Sequence, residues 1–182
     1  LNLLTLICFG LIFRILHRQE PRLRHILYFS HAFFHCAAAL AVDIAAPLAI
    51  GHLLASVLTY LFFAFAIYAI VKGIFLRCGQ PFPAKIVAGL LVASMLAIIA
   101  IMPLHSVAMG RVVTSLLMAP IFGISMIAAS KRLSQAIDLF VLTNLAMGTL
   151  IMTVHPITTG LTILYPNIFG AYSETVHSLV II

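Results

Sequence analysis

The sequence predicts an all-α protein, a polytopic integral membrane helix bundle of about seven spans with the first and last truncated. Three observations predict it. Of 182 residues, 64% are A, V, I, L, M, F, W, Y or C and only 8% are charged, whereas soluble domains run about half apolar and a quarter charged. Apolar runs of about 20 residues, the length a helix needs to cross ~30 Å of hydrocarbon, follow one another with short breaks. The basic residues gather in alternate breaks, as they do when a chain is threaded back and forth through a bilayer. The same balance excludes intrinsic disorder, collagen and a coiled coil, and the length suits one domain, 1–182.

The first run, 1–16, rises about 24 Å as a helix, less than the hydrocarbon core. It starts at Leu1, and Arg14, Arg18, Arg22 and Arg24 come at and after its end. A signal peptide would put its basic residues first, so the run reads as a truncated span. Further helices are expected over 26–46, 52–76, 85–102, 109–130 and 135–155. Pro47 and Gly51 mark the first turn between them, Gly79, Gln80, Pro81 and Pro83 the second, Pro103 the third and 130–134 the fourth. Ser134 is placed to cap the helix after it, with Asp138 favourably in its first turn. Pro120 and Gly123 predict a kink within 109–130. The segment 156–172, which holds Gly160, Pro166 and Gly170, reads as a partly apolar loop, with a broken helix as the alternative. The run 173–182 is too short to cross, so the sequence reads as an excerpt of a longer chain.

Orientation follows from the cations. Arg14, Arg18, Arg22 and Arg24 share one connection, Lys72, Arg77 and Lys85 surround another, and Lys131 and Arg132 a third; Arg111 alone falls on the opposite side. The positive-inside rule makes the basic side cytoplasmic, with the N-terminus outside and the last helix heading inward. The excess of ten Lys and Arg over four Asp and Glu therefore encodes threading through a membrane, with lipid and not nucleic acid as the partner. Cys8, Cys36 and Cys78 are too few for a disulfide framework.

Intramembrane ionisable groups are costly and so are functional candidates. His31 and His35, four apart on one helix face, could ligate a metal, hold a haem or relay protons, or simply hydrogen-bond to a neighbouring helix across Ala37, Ala38 and Ala41. His52, His105 and His155 fall near the outer ends of three helices and are candidates for a ligand or proton sensor, or for interfacial side chains with wet tips. Asp43 and Arg111 lie at comparable outer depth and are candidates for an ion pair or for an anionic ligand. Asn144, with Gly148 one turn on, suits helix packing. Seven methionines share no face and read as packing. Glu174 and His177 are explained by interfacial solvation. There is no Gly-rich phosphate cradle, HExxH or paired CxxC, and no catalytic constellation.

The stretch 55–83, ASVLTYLFFAFAIYAIVKGIFLRCGQPFP, joins a small residue early in a span to an apolar body. Gly73 then follows Lys72, Phe75 follows that, and Gly79-Gln80-Pro81 closes the stretch in a basic turn. It resembles the third helix and following turn of the multi-helix N-terminal membrane regions attached to bacterial GGDEF diguanylate cyclases. In that family an Asn often follows the Ala and an Arg often precedes the Pro; Ser56 and Gln80 occupy those places here. The resemblance implies a sensory region that dimerises, responds to a small-molecule or membrane signal and regulates a cytoplasmic output domain after residue 182. That domain would make cyclic di-GMP from GTP with magnesium. No GGDEF or GGEEF signature is in this chain, so no catalytic residue or cofactor is assigned to it. The competing classes are a haem- or metal-binding electron-transfer protein using His31 and His35, and a small transporter.

Overall fold

A computed structural model describes residues 3–50, 52–101 and 107–130, together with 153, 154, 157, 160 and 161. Within those, the side chains of 46–50, 52–53, 107–111 and 114–115 are also outside the description. Five helices are described, with no strand among the described residues: α1 (Leu3–Gln19), α2 (Arg24–Ile50), α3 (His52–Arg77), α4 (Ala84–Ile101) and α5 (Val107–Ser130). Three contain stretches long and apolar enough to cross a membrane: Arg24–Ala45, Leu54–Arg77 and Ala84–Ile101. A shorter apolar stretch in α5 covers Leu116–Ser130. The outer faces match, with Leu4, Ile44, Leu96, Val92, Ile86 and Ile127 all more than half exposed. In water such a surface would drive aggregation; against lipid it costs nothing. The chain is thus a membrane protein with at least these helices suited to spanning.

Turn chemistry sets where the helices stop. Pro21 restricts the residue before it and cannot donate a backbone hydrogen bond, and α1 ends just ahead, the amide of Glu20 donating to the carbonyl of Leu16 at 2.9 Å. At the end of α3, Gly79 takes φ of 62°, the left-handed conformation a side chain would penalise. That lets the amide of Gln80 donate to the Phe75 carbonyl at 3.0 Å and the amide of Gly79 to the Leu76 carbonyl at 3.2 Å, a Schellman closure that satisfies the last carbonyls. Pro83 then opens α4, its carbonyl accepting from the amide of Val87 at 3.1 Å.

Two elements differ from the sequence reading. α2 runs through Pro47 to Ile50 and does not turn there. A proline so near a helix end removes a single ring-closing donor, and opening the backbone within a bilayer would leave more polar groups unsatisfied. Ile157, Gly160 and Leu161 are helical, so the segment read as a loop from 156 is helical at these positions, in line with a broken helix. Their neighbours Ile163 and Leu164 are apolar, and one glycine disfavours a helix by only about 1 kcal/mol. α5 is continuous past Pro120. Of the expected helix over 135–155 only Thr153 and Val154 are described, both helical; the capping by Ser134 with Asp138 and the final run 173–182 lie outside the described residues.

The packing is that of antiparallel neighbours. Phe9 stacks on Phe33 at 5.4 Å between ring centroids and Phe13 on Phe33 at 5.5 Å, while Phe13 meets Phe29 edge-on, which zips α1 against α2. α2 lies along α3, and α4 along α5, with α3 touching both of the latter. The main core joins Ile67, Val71 and Phe75 of α3 to Val87 and Leu91 of α4 and Met118 and Ile121 of α5. Because α1 to α4 alternate in direction, the end of α1, the start of α2, the end of α3 and the start of α4 share one end of the bundle. That end carries Arg14, Arg18, Arg22, Arg24, Lys72, Arg77 and Lys85.

Candidate functional site

α2 has two working faces. Toward α1 it presents Phe29, Ser30, Phe33 and Phe34; toward α3 it presents Tyr28, Phe29, Ala32, His35 and Ala39, of which Ala32 is 1% and Ala39 0% exposed. Small residues at these positions let the backbones approach closely. The closest approach is at Gly73, where a β-carbon would sit 2.9 Å from Cε1 of Phe29 and 3.3 Å from the carbonyl oxygen of His25. On the other face the Ser30 hydroxyl donates to the carbonyl of Gly10 at 2.8 Å, fully buried. This is a buried hydrogen bond between two helices. Ser94 and Ser125 instead donate back to their own helices, to the carbonyls of Leu91 and Ile121 at 2.8 Å each.

His31 and His35 stand on the same side of α2, as their spacing requires. The structure gives them different surroundings. His35 is half-buried, and its Nδ1 lies 2.6 Å from the carbonyl of His31. A carbonyl can only accept, so Nδ1 carries a proton there, and in the neutral ring the lone pair is on Nε2. The His35 ring also packs on Phe65 and Phe62 of α3, at centroid distances of 5.6 and 6.4 Å. The hydrogen bond is thus to its own helix, while the contact with the neighbouring helix is aromatic. His31 is exposed. Asp43 is exposed as well, eight residues along α2 from His35, which is about 12 Å of rise, so it does not join them.

Among the described residues there is no group of three or more His, Cys, Asp or Glu placed to hold a metal ion. His31 and His35 therefore stand as a pair, and any metal or haem would need ligands from elsewhere. None of the three cysteines forms a disulfide, and Cys8 is exposed, Cys36 half-buried and Cys78 buried. His52 opens α3 and Arg111 lies in α5, but their side chains are outside the described residues, as are His105, His155 and Asn144 altogether. Of the outer cluster expected from His52, Asp43, His105, Arg111 and His155, only the side chain of Asp43 is among the described residues, and it is exposed.

A cation within α3 was missed as a structural element. Lys72 lies five residues before the end of α3, and its ammonium sits 4.8 Å from the ring centroid of Tyr28 and 5.9 Å from that of Tyr68. Ring faces hold a cation best where water is scarce. Tyr68 is in turn met edge-on by Phe82 at 5.1 Å, and Phe82 meets Phe75 at 5.8 Å, so the α3–α4 turn folds back and braces the arrangement. The signal was in the sequence, since Tyr68 and Lys72 are four apart, but Tyr28 becomes their neighbour only when α2 lies against α3.

Compared with models of protein families, with curated proteins and with solved structures, the chain matches none.

Proposed function

We propose that this chain is a membrane-embedded sensory region, itself non-catalytic, that regulates a cytoplasmic diguanylate cyclase domain, with the basic end of the bundle facing the cytoplasm. One observation carries the reading: the stretch resembling the cyclase-linked membrane regions, 55–83, coincides with α3 and its capped turn, the helix that touches α2, α4 and α5. A helix in that position is suited to pass a change in packing on one side to the other. The α2–α3 seam supports this. It brings the α2 backbone close to Gly73 and packs Phe29, His35 and Tyr28 against α3, so a shift of one helix is felt by the other. A signal would act by favouring one packing over another; to move a population from 1:99 to 99:1 it must do so by about 5.5 kcal/mol.

The test is intracellular cyclic di-GMP in a bacterial host expressing the intact gene, compared with an empty host and with a Gly73→Ala version that disturbs the seam. The reading expects a rise with the wild-type gene and at least a severalfold difference between wild type and variant. Equal cyclic di-GMP in all three strains refutes it.

A second reading, a haem- or metal-binding protein, is favoured by one detail. The Nδ1 of His35 is engaged by a backbone carbonyl, the arrangement that usually fixes a ligating histidine through its other nitrogen.

A further inference from the structure

α1 bears an exposed cation among exposed apolar side chains. Arg14 is exposed, five residues before the end of α1, which is about 7.5 Å inside it. Leu11 and Ile15 beside it are 49% and 54% exposed, so this side of α1 has no protein cover among the described residues. Arg18 is exposed one turn nearer the end, on the same stripe as Arg14. Across the α1–α2 pair, His31 is exposed too, next in sequence to Ser30, whose hydroxyl meets the carbonyl of Gly10 one turn before Arg14. His17, within a turn of Arg14, keeps its Nδ1 buried without a hydrogen-bond partner among the described residues. Arg22 and Arg24 follow in the connection and the start of α2, all exposed, and Glu20 is the one carboxylate among the described residues at this end.

If α1 lies against the bilayer like its neighbours, a long side chain this near its end reaches the headgroup layer, where a phosphate is the anion that matches a guanidinium. We infer that the α1–α2 face at the basic end of the bundle is a docking surface for an anionic phospholipid, its phosphodiester held by Arg14 and Arg18 with His31 alongside. Two arginines a helical turn apart provide forked donors matched to phosphate oxygens. The excess of arginines around them favours a lipid of net negative charge over a zwitterionic one. The occupant is a lipid because Leu11 and Ile15, exposed beside the arginines, give acyl chains an apolar wall. This does not depend on any output domain.

The full chain, purified in a neutral detergent, is titrated with short-chain phosphatidylglycerol, short-chain phosphatidylcholine or inorganic phosphate while its melting temperature is followed. Phosphatidylglycerol should raise the melting temperature saturably, and the other two should not. Arg14→Gln with Arg18→Gln should weaken the phosphatidylglycerol response by roughly 25-fold in midpoint, about fivefold for each charge. Should the double variant not fold, Arg18→Gln alone, at the exposed helix end, should shift the midpoint about fivefold. Lys85→Gln, at the start of α4, should leave it in place. An equal response to phosphatidylcholine or to inorganic phosphate, an unmoved midpoint in the arginine variants, or an equal loss in Lys85→Gln would each overturn the inference.

Discussion

Adding one methyl group at three glycines should separate close helix packing from helix propensity. At Gly73 the new β-carbon would lie 2.9 Å from Cε1 and 3.2 Å from Cδ1 of Phe29 and 3.3 Å from the His25 carbonyl oxygen. Ordinary contact begins near 3.4 Å, so the first is short by about 0.5 Å. The ring has little room to retreat, with Phe13 against it at 6.0 Å and His25 at 6.1 Å, and the carbonyl belongs to the α2 backbone. Overpacking of this kind costs about 1–3 kcal/mol, offset by up to about 1 kcal/mol gained by replacing glycine with alanine in a helix. The expected net loss for Gly73→Ala is about 1–2 kcal/mol, a fall of roughly 2–8 °C in melting temperature for a chain of this size. At Gly10 the contacts are 3.0–3.1 Å, all to the ring of Phe34, a side chain that can tilt, so Gly10→Ala should be near neutral. At Gly89 nothing lies within 4 Å, and Gly89→Ala should be unchanged or stabilised by about 0.5–1 kcal/mol. The assay is thermal unfolding of the purified variants in one detergent. If Gly73→Ala melts no lower than Gly89→Ala, the α2–α3 seam is not packed as described.

Three further predictions use other parts of the bundle. Ser30→Ala removes the buried hydrogen bond to Gly10 and should cost about 0.6–2 kcal/mol in thermal unfolding, more than Ser94→Ala, whose hydroxyl serves its own helix; the reverse order would refute the α1–α2 pairing. Alkaline phosphatase fused at Gly79 should be inactive in a bacterial host and a fluorescent cytoplasmic reporter at the same place active, with the opposite pattern showing that the basic end faces outward. The haem or metal reading predicts a Soret band or stoichiometric metal in the purified protein that His31→Ala or His35→Ala abolishes, and protein free of both chromophore and metal, after expression with haem precursor and trace metals supplied, discards it.

The local punctuation was legible because it is covalent. Gly79 followed by two prolines predicts a turn whatever surrounds it, and the structure closes α3 there with a positive φ. Pro47 was misleading for the opposite reason. A proline near a helix end is tolerated when the environment penalises an open backbone more than a missing donor, and that environment is not written in a dipeptide. The spacing of His31 and His35 placed both on one side of α2, but their separate fates, one ring braced by Phe62 and Phe65 and the other exposed, depend on which side α3 occupies.

Composition, apolar run length and the distribution of cations were enough to establish helices suited to a bilayer and a bundle with one basic end, because lipid imposes those requirements on each segment separately. The pairing of Ser30 with Gly10, of Gly73 with Phe29 and of Lys72 with Tyr28 came only from the tertiary structure. Each joins residues on different helices, and a helix that is apolar all round carries almost no sequence record of which face meets a neighbour and which meets lipid.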